Sequence, residues 1–284
     1  MMNQIQQGHV EAGGVRYGYE IHGPQDPGTG APLLLLHGGF GTIEMFGPVL
    51  GRLTTGRRVI AVDLYGHGRT ALTNRPIDAV AMGDDMAAVV RALGFERVDV
   101  LGFSFGGMVA FRLAVQHPDV VNRLVLASAP YANTGFYADI REQQKAVTRD
   151  SAASFMQTPM YAAYKAVAPR VEDFPEFVAR MGEAIRRPYD WSEDAKALKP
   201  TTLLVYGDSD MFEPEHIVRF YQLLGGGLRD AGWDGAGMAR HRLAILPGVT
   251  HYEMSDAPGL VDTALAFLDG EGKGADPDLG PRGP

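Results

Sequence analysis

The chain has 284 residues, 45% of them hydrophobic, and a formal net charge of -8. That length and apolar content suit one α/β domain carrying an insertion and exclude a disordered protein, while the acidic balance and lack of a long basic run argue against nucleic acid and anionic membranes as partners. With no cysteine in the chain, disulfides, thiolate metal sites and a cysteine nucleophile are excluded together, so the chemistry must use oxygen or nitrogen.

Met1 to Gly8 has neither a basic start nor an apolar block, and no segment is long enough to span a bilayer, so a cytoplasmic protein without membrane insertion is expected. His9-Val10-Glu11 and Val15 to Ile21, separated by Ala12-Gly13-Gly14, alternate as an antiparallel hairpin at a sheet edge does. Leu33 to Leu36, Val59 to Val62, Val98 to Leu101, Leu124 to Leu126 and Leu203 to Tyr206 are short, nearly continuous apolar runs, the pattern of parallel strands covered on both faces. Helical spacing over Asp84 to Leu93, Gly107 to Gln116 and Glu215 to Leu224 supplies helices between them, which predicts a doubly wound, mostly parallel α/β sheet.

One interval departs from this rhythm. From about Tyr131 to Lys199 no strand is predicted; the segment is rich in Ala, Met, Phe and Tyr, carries prolines at 159, 169, 175 and 188, and reads as several short helices inserted between two strands. An insertion after the carboxyl end of a strand sits above the mouth where ligands bind, which makes it a lid; a packed helical subdomain with its own core is the plainer alternative. The core is then 1–130 and 200–269, the helical cap 131–199, and the Gly-rich tail 270–284 is expected to be disordered.

Gly102-Phe103-Ser104-Phe105-Gly106 lies between a predicted strand and a predicted helix. A sharp turn there forces its central residue into a strained backbone and needs small residues two positions to either side, which Gly102 and Gly106 provide. Ser104 is therefore the predicted nucleophile, and the Phe105 N–H, at the helix N-terminus, half of an oxyanion hole. A serine needs a base, and the base a carboxylate. His251 follows the strand-like Arg242 to Leu246 through a predicted loop, Pro247 to Thr250, on the correct rim of the sheet. His37 and His67 read as braces of glycine turns, and His9, His22, His117, His216 and His241 as surface or strand-edge residues. Of two acids after the strand ending at Tyr206, Asp208 suits an Asx turn beside Gly207, and Asp210 has the better reach. His37-Gly38-Gly39-Phe40-Gly41 directly follows a strand and supplies the second oxyanion donor, Phe40 or Gly39.

These segments, with Asp63-Leu64-Tyr65-Gly66-His67-Gly68-Arg69 between them, resemble the α/β-hydrolase fold in order and spacing over nearly the whole chain. The resemblance implies Ser104 as nucleophile, Asp210 as acid, His251 as base, Phe105 with Phe40 or Gly39 as oxyanion donors, the 131–199 segment as cap, and no metal or cofactor. A serine nucleophile sets the chain apart from the aspartate-using epoxide hydrolase and haloalkane dehalogenase branches. Phe103, Phe136, Tyr137, Met160, Tyr164 and Trp191 are the expected lining of an apolar pocket, with Met156, Tyr161 and the phenylalanines around the serine. The expected activity is cleavage of carboxylic esters or lactones of small apolar molecules through an acyl-enzyme; C–C bond hydrolysis or perhydrolysis by the same triad, and a ligand receptor with little turnover, are the alternatives. The long Gly-rich connection from Gly225 to Arg240 reads as a surface loop, with a border on the pocket or a homodimer contact left open.

Overall fold

The computed structural model describes residues 5–24 and 30–270; the tail expected to be disordered, 270–284, lies outside the described residues apart from Gly270. Gln6–Ala12 (β1) and Val15–His22 (β2) pair antiparallel through Gly13 and Gly14, at φ 54° and 74°. Two consecutive left-handed residues make the tight turn whose twist matches that of the strands, and glycine takes both without a steric penalty. Leu33–Leu36 (β3), Val59–Val62 (β4), Val98–Phe103 (β5), Val121–Ala127 (β6), Thr201–Ser209 (β7) and Arg242–Thr250 (β8) complete one eight-stranded sheet, ordered β1-β2-β4-β3-β5-β6-β7-β8. All pairings from β4 to β8 are parallel.

The first helices are α1 (Gly47–Leu53), α2 (Ala79–Ala92) and α3 (Phe105–Gln116). Between β6 and β7 come α4 (Ala138–Lys145), α5 (Ala152–Phe155), α6 (Pro159–Val167), α7 (Phe174–Arg186) and α8 (Ser192–Lys196), joined by single-turn segments. Pro159 and Pro175 sit in the first turns of α6 and α7, where a missing N–H costs no helical bond; this is why the stretch breaks into short helices. The chain ends with α9 (Pro214–Leu223) and α10 (Pro258–Leu268).

Alternation inside the apolar runs divides the core in two. Leu34, Leu36, Val100 and Leu126 point to one side with α2, α3 and α9, while Leu33, Leu35, Leu101 and Val125 point to the other with α1 and α10. Both faces of β3, β4 and β5 are covered, and these strands are buried along their whole length. Phe174, Phe177, Val178 and Met181 of α7 join the first of these cores. The inserted helices are therefore packed onto the sheet's own core, and burying each such side chain contributes about 1.5–3 kcal/mol.

Three sets of bonds fasten the insertion. At its neck Asn133 N–H donates to the Tyr189 carbonyl at 3.2 Å and Trp191 N–H to Tyr131 at 2.8 Å. Further on, Tyr137 N–H donates to Met211 at 3.2 Å and Glu213 N–H to Gly135 at 2.9 Å, which pairs Phe136 with Phe212. Opposite, Arg170 donates to the Leu72 carbonyl and Arg180 to those of Thr73 and Arg75.

The strands at the site are longer than predicted. β7 runs to Ser209 and β8 to Thr250, so Pro247 to Thr250 is strand and not loop. β8 is the edge strand, where a residue without an N–H is tolerated. Among the described residues no helix is long and apolar enough to cross a membrane.

Candidate active site

Ser104 joins β5 to α3 at φ 52° and ψ -118°, a region that side chains other than glycine rarely adopt. The bonds Ser104 N–H to the Ala127 carbonyl (2.9 Å) and Met108 N–H to the Ser104 carbonyl (3.0 Å) hold it there. A Cβ on Gly102 would lie 2.4 Å from the Gly106 oxygen, and one on Gly106 would lie 2.3 Å from the His37 oxygen. Both glycines are required for the turn to close.

The sheet brings three side chains from separate strand ends into one line. His251 Nε2 lies 3.0 Å from Ser104 Oγ, and His251 Nδ1 lies 2.7 Å from Asp210 Oδ1. A carboxylate accepts only, so Nδ1 carries the proton and donates to Asp210, leaving the Nε2 lone pair to accept from the Ser104 hydroxyl. Asp210 and His251 are buried and Ser104 is half-buried. Burial pushes the Asp210 carboxyl upward, but hydrogen bonds from His251, Ser128 and the Met211 N–H outweigh it and hold the group below the ordinary aspartate value. Asp208 is exposed, and its Oδ1 accepts from the Gly248 N–H at 2.9 Å and from Ser209. It ties β7 to β8, which is a different role from the Asx turn expected of it.

Local structure sets His251 at the start of a 3-10 turn (His251–Asp256). Thr250 and Glu253 form a reciprocal capping box over that turn, with Thr250 Oγ1 donating to Glu253 at 2.8 Å. The Thr-x-x-Glu spacing was the available sequence signal for this turn. The imidazole packs against Phe103 (5.2 Å between ring centres) and Phe212 (5.8 Å).

Facing the serine, the 37–41 loop turns at Phe40, φ 61°, with Gly41 N–H bonded to the Gly38 carbonyl at 3.1 Å. A Cβ on Gly38 would lie 3.4 Å from the Ser104 Cβ, and one on Gly39 3.6 Å from the Phe105 Cβ. The loop therefore lies against the serine turn, and a Cβ on Gly38 would also stand 2.8 Å from the Phe103 ring. Phe105 is the first residue of α3, so its N–H has no intrahelical acceptor. His37 braces the loop as expected: Nδ1 donates to the Gly38 carbonyl (2.8 Å) and Nε2 accepts from the Leu64 N–H (3.0 Å). Asp63 accepts from the N–H groups of Ile43 and Arg69 and from the Arg69 guanidinium at 2.9–3.0 Å. Burial holds the ring of His37 below the ordinary histidine value.

The expected lining residues divide. Phe103 lies beside His251, and Phe136 beside Phe212 at 4.7 Å. Tyr164 is buried in the insertion's own core, stacked on Phe177 at 5.5 Å. Tyr137 and Met160 are exposed. Trp191 belongs to the neck: it stacks on Phe111 at 5.6 Å and packs tilted against Tyr189 at 4.5 Å, and Phe111 lies seven residues along α3 from Ser104, about 10 Å away. Residues not singled out from the sequence take the nearer places. Phe155 and Phe177 pack on Phe40 at 4.8 and 5.5 Å, and the Met181 Cε lies 3.0 Å from where a Gly39 Cβ would be. His22, His216 and His241, expected at the surface or a strand edge, are buried. His216 lies flat on Tyr131 at 4.2 Å, and burial lowers its pKa to about 4 against the opposing charge of Asp190.

A family model described as alpha/beta hydrolase fold matches residues 31–226. The chain is 39% identical over 108 residues to the 2-hydroxymuconate semialdehyde hydrolase of Pseudomonas sp. (strain CF600), a match spanning 36% of this chain and 37% of that relative's length. Among solved structures it is similar to the enol-lactonase of Burkholderia xenovorans LB400 (TM-score 0.71, 20% identity, 92% of this chain and all, 100%, of the other). It is similar also to the carboxylesterase CesB (YbfK) of Bacillus subtilis (TM-score 0.69, 19% identity, 94% and 92%). At these identities the two structures speak for the fold alone.

Proposed function

The chain belongs to the alpha/beta hydrolase fold family, and on that premise we propose that it is a serine hydrolase that cleaves carboxylic esters or lactones of small apolar molecules through an acyl-enzyme. The observation that carries this reading is the unbroken line from Ser104 Oγ through His251 to Asp210, at 3.0 and 2.7 Å. His251 takes the Ser104 proton on Nε2 as Oγ attacks the acyl carbonyl, and Asp210 stabilises the imidazolium through the Nδ1–H bond. The N–H groups of Phe105 and of Phe40 or Gly39 receive the oxyanion, which supplies about 3–4 kcal/mol per donor of this kind. His251 then returns the proton to the departing alkoxide, and water, activated by the same ring, releases the acid. The 131–199 segment serves as the cap over this centre.

The arginines of the insertion support an uncharged acyl group. Arg141 and Arg186 donate to backbone carbonyls, Arg149 and Arg180 pair with Glu176, Arg170 with Asp173 and Arg187 with Asp78. Each is already engaged, and the rings of Phe155 and Phe177 pack on Phe40 of the 37–41 loop instead.

C–C bond hydrolysis through the same three residues is the second reading, favoured by the likeness to 2-hydroxymuconate semialdehyde hydrolase. Purified protein assayed with p-nitrophenyl butyrate, butyrolactone and 2-hydroxymuconate semialdehyde separates the two. Multiple turnover of the first or second, lost in Ser104→Ala, is the expected result; turnover of the third alone overturns the ester reading. A single stoichiometric release of p-nitrophenol without turnover would point to a receptor on this scaffold.

A further inference from the structure

Directly after β6, Ser128 has φ 49° and no exposed surface. Its N–H donates to the Val205 carbonyl at 2.8 Å, and its Oγ donates to Asp210 Oδ2 at 2.5 Å. A left-handed position directly after a strand is one that glycine fills without strain. The serine there adds a single hydroxyl, and that hydroxyl points at the carboxylate facing His251.

The two carboxylate oxygens are held unequally. Oδ1 accepts from His251 Nδ1 (2.7 Å) and from the Met211 N–H (2.8 Å), whereas apart from Ser128 Oδ2 has the Gly207 N–H at 3.3 Å. A carboxylate turns readily about its Cβ–Cγ bond, and such a turn carries Oδ1 out of line with the imidazole. Asp210 lies beyond the end of β7, whereas Ser128, directly after β6, is tied by its N–H to Val205 in the buried part of β7. We propose that Ser128 is a positioning residue: its hydroxyl fixes Asp210 Oδ2, which keeps Oδ1 aligned with the Nδ1–H of His251. The inference rests on the serine hydrolase reading for its consequence in rate, and on geometry alone for the placement of the carboxylate.

Two substitutions separate the hydroxyl from the backbone. Ser128→Ala removes the hydroxyl and keeps the unfavourable φ, while Ser128→Gly removes the hydroxyl and relaxes the backbone. Positioning predicts that both variants label with a fluorophosphonate more slowly, by roughly ten- to a hundredfold for one lost bond to a charged group. It predicts a fall of similar size in kcat for p-nitrophenyl butyrate with KM unchanged, and a changed low-field proton resonance of the His251 Nδ1–H in both, although the glycine variant melts at the higher temperature. Should the alanine variant fail to fold, the glycine variant carries the test. Labelling within about twofold of the parent in the folded variants, or a glycine variant restored to the parent rate while alanine is slow, overturns the proposal. If the parent itself is not labelled, the hydrolase reading fails. The resonance then decides the positioning: moved in the variants it stands, unmoved it falls.

Discussion

Asp208 and Asp210 stand two residues apart at the end of β7 and face opposite ways, one bonded to Gly248 at the exposed edge and one to His251 inside. Asp210→Asn leaves the ring in the wrong tautomer and lowers kcat by about 10⁴-fold, as loss of the acid does in such a triad. Asp208→Asn keeps an acceptor for the Gly248 N–H and stays within about twofold, the range of surface substitutions; steady-state ester kinetics of the two variants decides the assignment. Gly102→Ala places a methyl 2.4 Å from the Gly106 oxygen and is expected to cost about 1–3 kcal/mol, as overpacking does, read as a lowered denaturant midpoint. These residues were legible because each obeys a local rule: glycines flanking a serine turn, a histidine at a strand's carboxyl end, an acid with reach. Ser128 obeys none. Its partner lies 82 residues away, and a single serine at the end of an apolar run resembles any other strand end.

Helix α7 shows how an element takes a part that its sequence only half announces. Pro175 at its start and its apolar residues declare a short helix, but not which neighbour it covers. Phe177 packs on Phe40, on His67 at 4.6 Å and on Tyr164, and so joins the 37–41 loop to the inserted helices. Phe177→Ala is expected to destabilise the protein by about 3–5 kcal/mol, measured by chemical denaturation. Strand β8 was legible only in its first half, because Pro247-Gly248 signals a break wherever a neighbouring strand waits on both sides; at a free edge the missing N–H has no bond to lose. Trp191 was read as pocket lining from its aromatic character, but aromatic rings also anchor necks, and its indole packs on Phe111 and Tyr189.

Across the whole molecule, acid acts through the buried histidines. Burial holds the rings of His216 and His241 at pKa values of about 4, whereas in the unfolded chain they take a proton near pH 6.5. Between these values the unfolded state binds more protons. The stability they contribute is therefore complete above about pH 6.5 and declines as pH falls toward about 4. The depressed Asp210 carboxyl adds to this at the acid end: its contribution is full above the unfolded aspartate value of about 3.9 and is lost as pH drops through its lower folded value. Melting temperatures followed from about pH 7.5 to about pH 4 are expected to fall less steeply in His216→Phe than in the parent. The doubly wound plan was legible because runs such as Leu33 to Leu36 admit no polar face; the covering of each face was not, since it depends on contacts between distant elements. The pairing of Phe136 with Phe212 joins the inserted helices to the segment bearing Asp210. Tyr137 N–H donates to the carbonyl of Met211, the residue next to Asp210, so a displacement of the inserted helices at that seam is transmitted to the aspartate within one peptide unit.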